Sequence, residues 1–197
     1  MKKSDSLPSA SALRAAQLIE RLGRLLRAEQ HAAGLNPAQG EALRYLSRAN
    51  RFSRTPAALA DYLGSTRGTV SQTLLALESK GLVERRPNAL DGRSVSLALT
   101  KAGADYQRND PARTLAKAIE SSGAADRLAR DLEAGLRAAI AQKGGRAFGE
   151  CRTCRHFREG VRKGDRPHHC ALLDEPLAEA EASLICFEQV RVNPTGS

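Results

Sequence analysis

The sequence predicts a mainly α-helical fold that carries one small β-hairpin and ends in a short cysteine-rich extension. Apolar residues recur at helical spacing through much of the first 145 residues. Two short stretches of alternating apolar and polar residues around an Asp-Gly pair interrupt that pattern. All four cysteines lie after residue 150. We therefore divide the chain into a helical part, residues 1–145, and a cysteine segment, residues 146–197.

The positive charge of the chain is confined to the helical part. Residues 1–145 hold 23 Lys and Arg against 14 Asp and Glu, whereas the cysteine segment holds eight of each. An excess of this size on one domain attracts a polyanion, usually nucleic acid. No apolar run reaches the roughly 18 residues of a membrane span, and the first residues lack the apolar stretch of a secretory signal. We therefore expect a cytoplasmic protein whose thiols stay reduced.

The first three predicted helices have clear start signals. Leucines at helical spacing predict one helix from Ala12 to about His31. The Asn36-Pro37 pair combines an N-cap residue with proline at the first helical position, and it opens a second helix toward Ala49. The polar stretch ANRFSRT breaks that helix, and Thr55-Pro56 repeats the cap-and-proline signal for a short third helix.

A fourth helix begins after Gly64, is capped by Ser65 or Thr66, and runs to about Lys80. Its start, TRGTVSQT, holds small and polar residues around one arginine. Two short helices joined by a tight glycine turn have helix-turn-helix character. Short polar side chains let such a helix enter a major groove and bond base edges or phosphates. The predicted buried stripe of this helix is Val70, Leu74 and Leu77.

A β-hairpin follows the fourth helix. LVERRP, after Gly81, and SVSLALT, from Ser94 to Thr100, alternate apolar and polar positions, and the Asp91-Gly92 pair supplies the turn between them. A hairpin in this position can place arginine in a narrow, electronegative minor groove. Three arginines lie on or beside its tip: Arg85, Arg86 and Arg93.

The run LADYLGSTRGTVSQTLLALESKGLVERRPNALDGRSVSLALTKAG resembles the winged helix-turn-helix of MarR-type transcriptional regulators. The likeness lies in the recognition helix, the LESKGLVERR transition, the D-x-R at the hairpin tip and the LTKAG exit. It spans about residues 10–143 and leaves out the cysteine segment. It implies a homodimer on a pseudo-palindromic operator, usually a repressor relieved by a small molecule or by oxidation.

The resemblance also implies roles for individual residues. The first helix and the segments LAKAIE and AADRLARDLEAGLRAAIA would pack against the partner subunit as a helical dimerisation region. Asp91 would hold the wing by pairing with a nearby arginine, and Arg93 would enter the minor groove. The residues that would face the major groove are Thr66, Arg67, Thr69, Ser71 and Gln72. Those implied as phosphate contacts are Lys80, Arg85 and Arg86.

The cysteine segment has the spacing C-x2-C-x15-C-x15-C, formed by Cys151, Cys154, Cys170 and Cys186. A C-x2-C pair places two thiolates on one turn, where both can bind one metal. The segment is also too small and too polar to fold without a covalent or metal crosslink. We therefore predict that the four cysteines bind one metal centre. His156, His168 and His169 are either substitute ligands or polar neighbours of that centre.

Three chemistries compete for these thiols. An iron–sulfur cluster takes four thiolates, tolerates single distant cysteines, and is labile enough to sense oxygen or iron. Zinc also takes four thiolates, but its structural sites usually present two C-x2-C pairs. Reversible disulfide formation needs only two thiols. The interpretation that we favour is a DNA-binding regulator, a repressor, with an iron–sulfur cluster as redox or iron sensor.

Two other interpretations stay open. In one, the same regulator has a structural four-cysteine zinc site and responds to a small-molecule effector. In the other, the chain is a winged-helix, metal-ribbon subunit of a larger transcription or repair complex. We do not expect an enzyme, because the sequence has no phosphate-binding glycine loop, no G-x-S-x-G and no H-E-x-x-H, and its C-x2-C lacks the βαβ context of a thiol oxidoreductase.

Overall fold

The structure is a computed structural model, which describes residues 7–32, 34–88 and 94–192. The helical part forms α1 (Ala10–Ala32), α2 (Pro37–Arg48), α3 (Pro56–Leu63), α4 (Arg67–Ser79), β1 (Val83–Pro87), β2 (Val95–Leu99), α5 (Lys101–Arg108), α6 (Ala112–Ser121) and α7 (Ala125–Gln142). The cysteine segment forms β3 (Gly149–Glu150), β4 (Phe157–Arg158), β5 (His168–Cys170), β6 (Glu175–Leu177), the four-residue helix α8 (Glu179–Ala182) and β7 (Ile185–Cys186). The predicted fold class, mainly α with a small hairpin wing, is confirmed.

Side-chain caps set the starts of the three central helices, as the sequence indicates. The Asn36 side chain accepts a hydrogen bond from the Gln39 amide at 2.9 Å, and the Gln39 side chain accepts one from the Asn36 amide. Thr55 caps α3 by accepting from the amide of Ala58, at 3.1 Å. Thr66, rather than Ser65, caps α4. These caps satisfy amide groups that have no partner inside their helix.

One apolar core joins α2, α3, α4 and the hairpin. Leu43, Leu59 and Leu74 are fully buried in it, and Val83 and Leu97 close it from the two strands. We call residues 35–99 the winged-helix core. The predicted stripe on α4 is confirmed, since Val70, Leu74 and Leu77 are all buried.

The hairpin pairs β1 with β2 in antiparallel register, from Val83 opposite Leu99 to Pro87 opposite Val95. Its second strand also bonds to the rest of the winged-helix core, because the Leu97 amide donates to the Arg54 carbonyl at 2.7 Å. The predicted turn residues at the tip, including Asp91 and Arg93, lie outside the described residues.

Three helices leave their apolar side chains exposed. No residue of α6 or α7 is buried. On α1, Leu18 and Ile19 are each 52% exposed, and on α7 Leu136 is 61% exposed. Within the described ranges, no helix is both long enough and apolar enough to cross a membrane.

The cysteine segment folds back onto the winged-helix core. β3 pairs with β7, and β4, β5 and β6 form a three-stranded antiparallel sheet. The ring of Phe148 packs edge-on against Tyr62 at 5.2 Å between ring centroids, and the ring of Phe187 packs against Phe148 at 5.5 Å. A parallel bridge joins Ala49 to Ile185. The segment therefore completes the side of the core formed by α2 and α3.

Candidate nucleic-acid interface and cysteine cluster

The outward face of α4 presents short polar side chains. Because Val70, Thr73 and Leu74 are buried, the opposite side of the helix points away from the core. The exposed residues on this face are Arg67, Thr69, Ser71 and Gln72. The first two turns of a helix with this face can approach a groove closely, because the large exposed apolar residue of α4, Leu75, lies further along the helix.

Thr66 and Arg67, adjacent in sequence, are engaged differently. The Thr66 hydroxyl accepts from the Thr69 amide at 3.1 Å and lies 2.9 Å from the Thr69 hydroxyl, so it serves the helix cap. Arg67 is exposed and forms no hydrogen bond or ion pair with any residue that the structure describes. Arg67 is therefore the predicted DNA contact on α4 that is most available to a phosphate.

The three cations that the resemblance implies as phosphate contacts already have partners. Lys80 Nζ donates to the Gly34 carbonyl at 2.7 Å. Arg85 forms an ion pair with Glu78 at 2.9 Å, and Arg86 forms one with Glu84. Exposed ion pairs contribute little free energy. Both arginines can therefore exchange a carboxylate for a phosphate at low cost.

This arrangement of helices and hairpin has counterparts among known proteins. Residues 33–94 match the family model of the MarR family. This match includes most of the winged-helix core. The match ends before the cysteine segment, and no curated protein matches the chain.

Solved structures share the fold. Staphylococcus aureus MepR in its DNA-binding conformation is 20% identical with a TM-score of 0.56, and the alignment covers 68% of this chain and 98% of MepR. The S. aureus MepR–DNA complex is 20% identical with a TM-score of 0.51, covering 68% of this chain and 99% of MepR. MepR, described as a transcription regulator of the S. aureus multidrug efflux pump MepA, also matches at 20% identity with a TM-score of 0.50, covering 68% and 98%. At this identity, the likeness establishes a shared fold.

The cysteine segment gathers its thiols around a small core of its own. All four cysteines are free. Cys151 and Cys186 are each 6% exposed and pack with Leu177, and Cys170 packs against that cluster. Cys154 closes the turn that begins at Cys151, since its amide donates to the Cys151 carbonyl at 2.9 Å.

Among residues 7–32, 34–88 and 94–192, no group of three or more His, Cys, Asp or Glu side chains is arranged to hold a metal ion. The three histidines of the segment have other partners. His168 bonds to Glu179 at 2.6 Å, His169 pairs with Asp174 at 3.2 Å, and His156 accepts from the neighbouring Arg155. These contacts favour their interpretation as polar neighbours, and a metal centre stays a prediction.

Hydrogen-bond donors surround the sulfur atoms. The Asn50 side chain donates to Cys151 Sγ at 3.2 Å, and the Val190 amide donates to Cys154 Sγ at 3.4 Å. Neutral thiols are weak acceptors, whereas donors directed at sulfur stabilise a thiolate, the form that binds a metal. Such donors are directed at Cys151 and Cys154, the two cysteines of the C-x2-C pair.

The two buried thiols, Cys151 and Cys186, have different pKa values. The pKa of Cys186 is lowered to about 6, chiefly by the hydrogen bond from Cys151; burial opposes this shift, and Asn50, the Glu188 amide and Ser53 contribute to it. The same hydrogen bond, followed by burial, raises the pKa of Cys151. Cys186 is therefore the thiolate of the pair and Cys151 the protonated partner.

Sequence reasoning missed Asn50 and Ser53. The prediction that ANRFSRT breaks the helix is confirmed, but these two polar residues are fully buried rather than solvated. A polar stretch between two capped helices is typical of an exposed loop. Their partners lie about 100 and 130 positions further along the chain. The only signal in the sequence is the presence of two hydrogen-bonding side chains three residues apart.

A surface pocket of about 370 Å³ lies between α2, the hairpin and the helices that follow it. Leu46, Leu99 and Ala104 supply apolar lining. Four arginines also line it: Arg54, Arg86, Arg108 and Arg113. Cationic and apolar groups together suit an organic anion.

Proposed function

We propose that this protein is a sequence-specific DNA-binding transcription regulator, acting as a repressor. The observation that carries the proposal is the exposed, small and polar face of α4, which projects from a MarR-family winged-helix core beside a basic hairpin. The basic excess of residues 1–145 supports it, since cations attract the phosphate backbone. The DNA complex of MepR, which shares the fold, supports it further.

The regulator acts as a homodimer on a pseudo-palindromic operator. Support comes from α1 and α7, helices of 23 and 18 residues that leave their leucines exposed. A second copy of the chain is the partner that offers the same apolar faces in return. Two α4 helices related by a two-fold axis would read half-sites about 10 base pairs apart, one helical turn of DNA.

The four cysteines form a metal centre, and an iron–sulfur cluster is the group that we favour. The support is the packing of Cys151, Cys170 and Cys186 around one small core and the donors directed at the sulfurs of Cys151 and Cys154. The segment must tighten around the metal, because no ligand sphere is preformed in the part of the chain that the structure describes. The cluster would give the repressor a redox or iron sensor. A structural zinc site is the alternative.

The alternative form of the regulator uses a small-molecule effector. The arginine-lined pocket of about 370 Å³ is where such a molecule would bind, and its four guanidinium groups select an organic anion. Thermal unfolding in the presence of a panel of aliphatic and aromatic carboxylates tests whether the pocket binds an organic anion. Stabilisation that is lost in Arg113→Gln and kept in Arg127→Gln, a change on the exposed face of α7, supports the pocket.

Selection of duplexes from a random DNA library tests the regulator proposal. We expect enrichment of an inverted repeat, bound by a dimer. Arg67→Ala should weaken binding and lower the salt slope by about 1 for each lost phosphate contact, whereas Arg127→Ala should leave both unchanged. Recovery of no enriched sequence would contradict the proposal. A monomer that binds DNA only with another protein would favour the subunit of a larger complex.

Purification without oxygen tests the metal centre. An iron–sulfur cluster gives a brown solution with broad visible absorption and acid-labile sulfide. A colourless protein that releases zinc on acidification would establish the zinc alternative. A protein that contains neither metal would contradict the centre and leave the DNA-binding proposal untouched.

A further inference from the structure

The connection between α2 and α3, residues 49–54, lies between the cysteine cluster and the DNA-binding elements. Its residues are buried or half-buried although they form no helix or strand. One side of the connection contacts the cysteine segment, and the other side contacts the hairpin and α3.

Asn50 contributes most to the contact with the cysteines. Its side chain is fully buried and donates to Cys151 Sγ at 3.2 Å. Its side-chain oxygen accepts from the Ser53 amide at 3.0 Å. Its own amide donates to the Ile185 carbonyl at 2.9 Å. The polar atoms of this side chain therefore bond to a cysteine sulfur and to the connection itself.

Ser53 and Arg51 fix the same interface. The Ser53 hydroxyl accepts from the amide of Phe187, the residue directly after Cys186, at 2.8 Å. Arg51 donates to the Pro176 carbonyl at 2.7 Å and forms ion pairs with Glu175 and Glu181. The cysteine segment therefore rests on the winged-helix core through directional polar bonds to the residues that flank its buried thiols.

The other side of the connection contacts the elements that would meet DNA. The Arg54 carbonyl accepts from the Leu97 amide of β2 at 2.7 Å. Thr55, the next residue, caps α3, which packs on α4. The Ser53 carbonyl accepts the Tyr45 hydroxyl at 2.6 Å, which ties the connection to α2. A displacement of residues 50–53 would therefore act on the hairpin and on the start of α3.

We propose that Asn50 and Ser53 of the winged-helix core are positioning residues of the thiolate metal centre, so that the centre bridges the two parts of the chain. This inference rests on the metal centre that is part of the proposed function. It adds two residues of the winged-helix core to the surroundings of that centre. Groups that hydrogen-bond metal ligands orient them and raise metal affinity, typically by 10- to 100-fold. Loss of the metal removes the anchor of residues 50–53 and loosens the bond between Arg54 and Leu97.

Metal retention in the full chain is the first test. The protein purified without oxygen is challenged with EDTA, and bound iron and zinc are followed over time. Asn50→Asp replaces a donor by an acceptor at constant size, and we expect metal loss to become at least tenfold faster. Asn36→Asp makes the same change at the α2 cap, where a carboxylate also caps well, and should retain metal as the parent does. Equal retention in Asn50→Asp and the parent would overturn the proposal.

Ser53→Ala gives a second, milder variant in case Asn50→Asp does not fold. It removes the hydroxyl that holds the Phe187 amide beside Cys186, without adding charge, and it should shift the visible absorption of the bound centre as well as its rate of loss. Ser79→Ala, at the exposed end of α4, is the matched control. An unchanged spectrum and rate in Ser53→Ala would also overturn the proposal.

Amide hydrogen exchange tests the bridge itself. Removal of the metal from the parent should speed exchange in the cysteine segment and at Leu97, whose amide bonds to the connection. The Leu99 region of the same strand, opposite Val83, should change less. Faster exchange that is confined to residues 146–192 would show a metal centre without a bridge. A parent protein without metal would contradict the centre as well, so the two failures are distinguishable.

Discussion

Helices α4 and α7 carry the same kind of apolar stripe in opposite surroundings. On α4, Leu74 and Leu77 are fully buried, whereas on α7 Leu132 and Leu136 are 41% and 61% exposed. The spacing of the stripe shows that each helix has a face to bury. It does not show which molecule supplies the other side. The chain buries the stripe of α4 itself, and we assign the stripe of α7 to a second copy.

The cysteine segment buries apolar residues of two kinds, its own and those of another part of the chain. It has a small core around Leu177, but it also covers the winged-helix core, since Phe148 packs against Tyr45 and Tyr62. Tyr45 is 1% exposed in the intact chain. Deletion of residues 146–197 would therefore uncover part of that core. A point substitution can change one region without uncovering the other, whereas truncation changes both.

The largest effect is expected in the winged-helix core. Leu74→Ala leaves a cavity among fully buried neighbours and should lower the free energy of unfolding by about 2–5 kcal/mol. Leu75→Ala, one position along the same helix, removes a side chain that is 50% exposed and should cost much less. Urea denaturation at one protein concentration measures both. Equal losses would show that the α4 stripe is not the chain's own core.

The second effect concerns association rather than folding. Leu136→Glu places a charge on the exposed stripe of α7 and should weaken the dimer by about 100-fold, or about 2.8 kcal/mol, because that charge would be buried without a partner. The circular dichroism of the chain should not change. Leu172→Glu, at a position 46% exposed in the cysteine segment, is the control. A Leu136→Glu protein that sediments as the parent does would remove α7 from the interface.

A glycine shows where the helical part is packed most tightly. A Cβ atom at Gly103, on α5, would lie 2.1 Å from the Leu82 carbonyl oxygen, a backbone atom that cannot move away cheaply. Gly103→Ala should therefore lower the free energy of unfolding by about 1–3 kcal/mol. Ala102→Gly, the adjacent exposed position, controls for the change in helix propensity. A neutral Gly103→Ala would mean that α5 is not held against the turn after α4.

The sequence predicted those parts of the fold that depend on local chemistry. The caps at Asn36, Thr55 and Thr66, the stripe on α4 and the hairpin all follow from interactions within a few residues. The contact between Asn50 and Cys151 was not predictable, because its partners are 101 positions apart and neither belongs to a periodic pattern. The cysteines signalled a site through their spacing alone. The residues that complete it gave no such signal.

The smallest effect comes from Gly135, on α7, three positions after Leu132. A Cβ atom there meets nothing within 4 Å, so the chain itself gives no steric reason for glycine. In the Leu136→Glu background, where the dimer is disrupted, Gly135→Ala should raise the free energy of unfolding by up to about 1 kcal/mol through helix propensity. Chemical denaturation measures this gain, and a loss instead would mean that α7 packs against its own chain. The same substitution in the parent, which we propose to be a dimer, sharpens the comparison, because Gly135 shares the helix face of Leu132. If the second copy approaches the helix closely there, the added methyl group weakens association, and sedimentation at several concentrations detects it.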